Sequence, residues 1–116
     1  MILLCLLLSG CVTQAAVALQ YHHVALNTPA ITSISPADFA AHMAYLNDND
    51  YNVVDIVTLI RALRDYEPLT DGSIVVTFDD AYQDILTNAL PILERYGFPF
   101  TVFVATELVG SSSQYL

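Results

Sequence analysis

Positive charge is scarce in this sequence. Its 116 residues include three Lys or Arg residues in total, against twelve acidic ones, which leaves a formal net charge of −9. Without clustered cations the chain cannot neutralise a run of phosphates or hold an anionic lipid surface, which argues against a nucleic-acid partner. A metal cation or a neutral or cationic polymer suits this balance better.

Cysteine is nearly absent as well, and the two that occur, Cys5 and Cys11, both lie close to the N-terminus. A disulfide framework is therefore excluded for the remainder of the chain. Charged residues make up only 13% of the sequence and hydrophobic residues 55%, so a folded domain is expected rather than a disordered segment.

A transmembrane run is also missing, because the apolar stretch 1–8 is far shorter than the roughly twenty residues that span a bilayer. It matches the apolar centre of a secretory signal, although no Lys or Arg precedes it. Leu8-Ser9-Gly10-Cys11 resembles the bacterial lipobox, in which the cysteine is lipidated. We expect 1–11 to be a lipoprotein signal and 12–116 a domain anchored through Cys11. The alternative is a buried strand or helix that ends in cysteine.

The rest of the chain alternates strand and helix patterns. Strands are predicted at 17–21, 53–56, 73–78 and 100–104, the last also buried, and a loop at 27–34. The first helix should be capped by Ser35, begin at Pro36 and carry the apolar stripe Phe39, Met43 and Leu46. A second helix is predicted at 57–65, and a third at 82–96 with a kink or break at Pro91 and its end at Gly97. The run 73–78 is apolar without alternation, which is typical of a strand buried on both faces of a parallel sheet. This order predicts an α/β fold with right-handed crossovers, and four strands are too few to close a barrel.

Two adjacent carboxylates, Asp79 and Asp80, directly follow that buried strand. In parallel α/β folds the carboxyl ends of strands surround the ligand site. Two carboxylates together need a cation or a shared proton, and a metal ion with one Asp as ligand and the other as base would meet that need. The alternative is that the pair caps the following helix at Tyr82 or Gln83.

The stretch Val76-Thr77-Phe78-Asp79-Asp80-Ala81-Tyr82-Gln83-Asp84 resembles the first motif of polysaccharide deacetylases, the chitooligosaccharide deacetylase homology domain of carbohydrate esterase family 4. The segments Tyr96 to Val104 and Tyr21-His22-His23-Val24 add to the likeness. The resemblance is greatest to lipoprotein poly-β-1,6-N-acetylglucosamine N-deacetylases. It implies the N-terminal part of a distorted (β/α) barrel, incomplete in this chain.

The resemblance also implies chemistry. Asp79 would be the general base and Asp80 the ligand of a divalent metal, usually zinc, in hydrolysis of N-acetyl groups on a cell-surface polysaccharide with release of acetate. It implies an envelope protein secreted across the inner membrane and lipid-anchored, at the outer membrane facing the periplasm. Two departures are evident: Ala81 replaces a usual glycine, and the His-Ser/Thr-x-x-His motif that supplies the other metal ligands is absent, so this stretch alone should be inactive.

Four further residues are candidates for the same site. His22 and Tyr82 are expected to line the substrate cleft. For His22 or His23, metal ligation is a weaker alternative. For Tyr82, the alternative is that it only covers the sheet. Asp84 could hydrogen-bond a metal ligand, but a solvated carboxylate is the simpler expectation. A second function stays open: a non-catalytic carbohydrate-binding lipoprotein with a decayed deacetylase fold.

Overall fold

The computed structural model describes residues 15–112, 114 and 115. The predicted signal segment, with the lipidation candidate Cys11, lies outside the described residues. Within the part that is described, no helix has both the length and the apolar character needed to cross a membrane.

The fold is organised around one central strand, β5 (Ser73–Asp79). β1 (Ala16–Tyr21) runs parallel to it along its length, so that Ala16 lies opposite Ser73 and Tyr21 opposite Phe78. Two short parallel strands share the other edge. β4 (Asn52–Val53) pairs with the beginning of β5, and β6 (Thr101–Phe103) pairs with its end. The predicted parallel sheet is thus confirmed.

Helices follow the strands in the predicted order. They are α1 (Pro36–Asp48), α2 (Ile56–Asp65), a π-helical segment (Ile85–Ala89) and α3 (Leu90–Tyr96). A 3-10 turn (Ala30–Thr32) and a parallel pair of short strands, β2 (His23–Val24) and β3 (Ser33–Ile34), occupy the connection from β1 to α1, which the sequence had indicated as a loop.

The sequence signals for α1 are confirmed. The Ser35 hydroxyl accepts a hydrogen bond from the Asp38 backbone N–H at 3.0 Å, which satisfies one of the free donors of the first turn. Pro36 stands at the first helical position, where its missing N–H costs nothing. The stripe Phe39, Met43 and Leu46 is buried against the sheet.

The core surrounds Phe78, whose side chain is fully buried. Its ring centroid lies 5.7 Å from that of Tyr21, 5.8 Å from Phe39 and 5.9 Å from Phe100. These rings join β1, α1 and the approach to β6 to the central strand. Full burial of one such side chain contributes about 1.5–3 kcal/mol, so this cluster anchors the end of β5 that carries the acidic pair.

Two sequence-based boundaries, the end of the second strand and the start of the third helix, were wrong for local reasons. The second strand ends at Val53, because the Asp55 side chain caps α2 by accepting from the Thr58 backbone N–H at 2.9 Å. The helix predicted from residue 82 begins at Ile85 and is divided into the π-helical segment and α3. Pro91 lies in the first turn of α3, where proline is tolerated, and Gly97 ends the helix at φ 63°.

The last predicted strand is only partly buried. Phe103 and Val104 are each 50% exposed, since β6 pairs on one side with β5 and has no second neighbour among the described residues. The outer edge of β1 likewise has no strand partner in the described part, and an apolar groove of about 560 Å³ runs along it. The sheet is therefore open at both edges, as expected for an incomplete barrel.

Candidate active site

The acidic pair lies at the carboxyl end of the central strand, where the sequence predicted it. Asp79 is the last residue of β5. Asp80 and Ala81 follow in the left-handed region, with φ 70° and 56°. Aspartate enters this region more readily than most residues, but alanine does not. The turn thus requires the conformation for which glycine is usual, and Ala81 keeps it with its side chain buried.

Asp79 is held by the neighbouring strand. The Gln20 side-chain amide donates a hydrogen bond to Asp79 Oδ2, and His22 Nε2 lies 3.7 Å from the same oxygen. The pairing of Tyr21 with Phe78 brings the two strand ends side by side and so places these three groups together. The His22 and Asp79 side chains remain 33% and 25% exposed, which leaves both accessible to a substrate.

The capping alternative for the pair is wrong. The backbone N–H of Gln83 donates to the Gln114 carbonyl at 2.7 Å, and the π-helical segment has no side-chain cap. Asp79 instead accepts from Gln20 across the sheet. Asp79 is therefore available at the mouth of the sheet, and neither carboxylate caps the helical segment that follows.

Tyr82 lies two residues after Asp80 in the chain. Its ring stacks on His23 with centroids 3.6 Å apart and on Tyr115 at 5.1 Å. Desolvation raises the pKa of Tyr82 to about 12, with smaller contributions from the Tyr115 hydroxyl and the charge of Asp80. The phenol therefore stays protonated near neutral pH and can donate a hydrogen bond but cannot act as a base. A groove of about 480 Å³ lies against this stack, but neither Asp79 nor Asp80 lines it, so a place for Tyr82 in the substrate cleft stays a prediction.

Asp84 is not the solvated carboxylate that the sequence favoured. Its Oδ2 lies 2.7 Å from His23 Nδ1, and its Oδ1 accepts from the Val24 backbone N–H at 2.8 Å. The side chains of His23 and Asp84 are only 11% and 14% exposed. His23 thus points into the protein toward Asp84, and His22 is the member of the pair that faces Asp79.

Two residues of this region were missed by sequence reasoning. Gln20 contacts the proposed base, and the Asn88 side-chain amide donates to the Val24 carbonyl at 2.7 Å. Neither belongs to a recognisable motif. The position of Gln20 two residues before His22, near the end of a predicted strand, was the one available indication of its role.

The described residues do not complete a metal centre. Asp79, Asp80 and His22 are the metal-binding types nearest the mouth, yet no group of three His, Cys, Asp or Glu side chains in the described ranges is arranged to hold an ion. Structural and catalytic zinc sites normally use at least three protein ligands. A divalent metal would therefore need ligands other than those described, and no catalytic step is derived through one.

Comparison with known proteins agrees with this geometry. The family model for polysaccharide deacetylase matches residues 66–116, which include β5 and the acidic pair. This match covers less than half of the chain, and it makes residues 66–116 similar to the polysaccharide deacetylase family. The likeness of the fold extends further, since the solved structure of IcaB from Ammonifex degensii superposes on 89% of this chain with a TM-score of 0.79 and 27% identity.

Curated proteins that this chain is similar to include two poly-β-1,6-N-acetyl-D-glucosamine N-deacetylases. The protein of Escherichia coli (strain K12) is 34% identical over 67 residues, which is 58% of this chain and 10% of the relative. That of Staphylococcus epidermidis (strain ATCC 35984) is 26% identical over 114 residues, 86% of this chain and 39% of the relative. The chain also spans 44% of the IcaB structure, so it corresponds to less than half of each of these proteins.

Proposed function

We propose that this chain contributes the general base and one metal ligand to a metal-dependent deacetylase of an N-acetylglucosamine-containing polysaccharide. The observation that carries the proposal is the partly exposed carboxylate of Asp79 at the mouth of the sheet, with Gln20 and His22 close to its Oδ2. Its position in the stretch that matches the polysaccharide deacetylase family, and relatives named as poly-β-1,6-N-acetyl-D-glucosamine N-deacetylases, support the substrate class.

The reaction is hydrolysis of an acetamide. Water attacks the acetyl carbonyl carbon while Asp79 accepts its proton, the carbon–nitrogen bond breaks, and the amine leaves with a proton as acetate is released. Gln20 orients the base by donating to Oδ2, and His22 lies close enough to interact with the same reacting groups. Tyr82, protonated and stacked, lines the cleft.

A divalent metal, with zinc as the proposed ion, belongs to this proposal because the family is generally metal-dependent. Asp80 is the residue of this chain that would bind it. Carboxylate oxygen is an accepted zinc ligand, but a single ligand would hold the ion weakly, so the described residues alone should not be active.

The activity test uses the full-length protein and poly-β-1,6-N-acetylglucosamine oligomers, with released acetate as the readout. Asp79→Asn should lower the rate by about 10²–10⁴-fold, the typical contribution of general acid–base catalysis. Asp71→Asn is the matched control, because Asp71 is an exposed aspartate that precedes the opposite end of β5. A chelator should abolish activity and added Zn²⁺ should restore it. Undiminished turnover in Asp79→Asn would refute the assigned base.

The second candidate is a carbohydrate-binding protein without catalysis, favoured by the lack of a three-ligand cluster in the described ranges. It predicts that the wild-type protein binds the oligomers, releases no acetate, and keeps its affinity in Asp79→Asn. Acetate release that depends on Asp79 would exclude it.

The proposal extends to location. A lipid on Cys11 would tether the domain to the cell envelope, at the outer membrane facing the periplasm, near a polysaccharide in export. More than one acyl chain on one cysteine gives a stable anchor. Cys11→Ala should therefore release the protein from the membrane fraction and abolish fatty-acid labelling. A variant that remains membrane-bound would contradict the anchor.

A further inference from the structure

Asp84 connects the segment after the acidic pair to the segment after β1. One carboxylate oxygen lies 2.7 Å from His23 Nδ1, and the other accepts from the Val24 backbone N–H at 2.8 Å. The two carboxylate oxygens thus contact two consecutive residues, His23 and Val24. Charge-assisted hydrogen bonds of this length in a largely buried place are stronger than neutral ones and fix the geometry of both partners.

Two further contacts prevent this segment from turning. Asn88 lies in the π-helical segment that begins after Asp84, and its side-chain amide donates a hydrogen bond to the Val24 carbonyl at 2.7 Å. The His23 ring is stacked on Tyr82 with centroids 3.6 Å apart. Val24 itself is completely buried. The backbone of residue 24 is therefore held at both its N–H and its carbonyl, and the ring of His23 is held at its face and at Nδ1.

Fixing His23 also restricts His22. His22 is the single residue between β1, which ends at Tyr21, and β2, which begins at His23, so the backbone on both of its sides is held by strand pairing. From this connection its side chain reaches the mouth of the sheet, where Nε2 lies 3.7 Å from Asp79 Oδ2. Within the described ranges, no hydrogen bond joins His23 or Asp84 to Asp79 or Asp80, so the pair acts on the site through its neighbours, His22 along the chain and Tyr82 by stacking on His23.

We infer that Asp84 and His23 form a positioning pair that holds His22 against Asp79. The inference rests on the proposed function for its catalytic consequence, but its geometric content is independent of it. Neither residue is a catalytic residue, since neither touches the acidic pair. A small displacement of a group that must meet the reacting atoms can reduce the rate by about 100-fold, which gives the pair a measurable effect.

Kinetics of the full-length protein on N-acetylglucosamine oligomers test the pair. Asp84→Ala should lower kcat by about 10–100-fold and leave KM within about threefold, as expected for loss of a supporting hydrogen bond. Asp71→Ala is the matched control, because Asp71 is exposed and precedes the opposite end of β5, so its kcat should stay near wild type. Asn88→Ala removes the second tether to Val24 but leaves the His23–Asp84 contact intact, so it should lower kcat less than Asp84→Ala does.

A second pair of variants separates positioning from packing. His23→Asn keeps a side-chain N–H donor near the Nδ1 position and should retain most of kcat, whereas His23→Leu fills similar volume without the donor and should match Asp84→Ala. If Asp84→Ala does not fold, as judged by circular dichroism, this pair carries the test. Equal losses in His23→Asn and His23→Leu, or in Asn88→Ala and Asp84→Ala, would overturn the inference.

A structural readout distinguishes failure of the inference from failure of the proposed function. In crystals of Asp84→Ala or His23→Leu, His22 Nε2 should move away from Asp79 Oδ2, beyond the 3.7 Å of the wild-type chain. His22 found unmoved in both variants refutes the positioning role even if the wild-type protein deacetylates the oligomers. A wild-type protein that releases no acetate refutes the proposed function, and the crystallographic result still decides the positioning.

Discussion

The left-handed alanine beside the acidic pair offers a sharp test of the site's local energetics. Ala81 has φ 56° and is 2% exposed. Replacing it with glycine relieves a strain of about 1–2 kcal/mol, because the left-handed region brings Cβ close to the following carbonyl oxygen. Two effects oppose this gain. Glycine raises the conformational entropy of the unfolded chain, which lowers the free energy of unfolding by about 0.4–1 kcal/mol. Loss of a buried methyl group lowers it by about a further 0.8 kcal/mol.

The opposing effects nearly cancel, so Ala81→Gly should change the free energy of unfolding by less than about 1 kcal/mol. Ala89→Gly is the matched control, since Ala89 is also fully buried but has right-handed backbone, with φ −77° and ψ −46°. No strain is relieved there, and the variant should lose about 1.5 kcal/mol from backbone freedom and burial together.

The assay is urea unfolding of the full-length protein, with the wild type and both variants measured in parallel. The two variants should differ by about 1–2 kcal/mol, the strain at residue 81. Equal destabilisation by both glycines would show that residue 81 carries no conformational strain, and the account of the turn after β5 would be wrong. Acetate release by Ala81→Gly should remain near wild type, because glycine adopts the same turn.

Three further predictions concern the scaffold. Ser35→Ala should cost about 0.5–2 kcal/mol in urea unfolding, because it removes the hydroxyl that caps α1, whereas Ser35→Asp should retain most of the stability. Leu93→Ala should cost about 2–5 kcal/mol, since Leu93 is fully buried, and an effect below 1 kcal/mol would contradict its place in the core. The hydrogen bonds from Thr58 lower the pKa of Asp55, so its stabilisation of α2 is present above the ordinary aspartate pKa and is lost as pH falls through the lower folded value. The stability difference between wild type and Asp55→Ala should therefore persist at pH 5 and vanish at strongly acidic pH, and a difference independent of pH would exclude the cap as its cause.

Several features of the fold could be predicted from local sequence because local physics determines them. The cap at Ser35 and the stripe of Phe39, Met43 and Leu46 need only the helical repeat to be recognised, and the structure agrees with both. The unbroken apolar run of β5 likewise implied burial on both faces. Where prediction failed, a tertiary arrangement was responsible: β6 is half exposed because it has a strand partner on one side only among the described residues.

For the candidate site, too, some features follow from local sequence and others only from the tertiary structure. The sequence by itself determined that two carboxylates end a doubly buried strand, and its motif indicated the deacetylase family. It could not determine which of two adjacent histidines faces Asp79, that Asp84 holds the other, or that Gln20 reaches the base from β1. Those contacts join residues about sixty positions apart, and the parallel register of β1 against β5 creates them. The tertiary structure also decided that Ala81 lies in the left-handed region, because φ is set by the turn and not by the residue type alone.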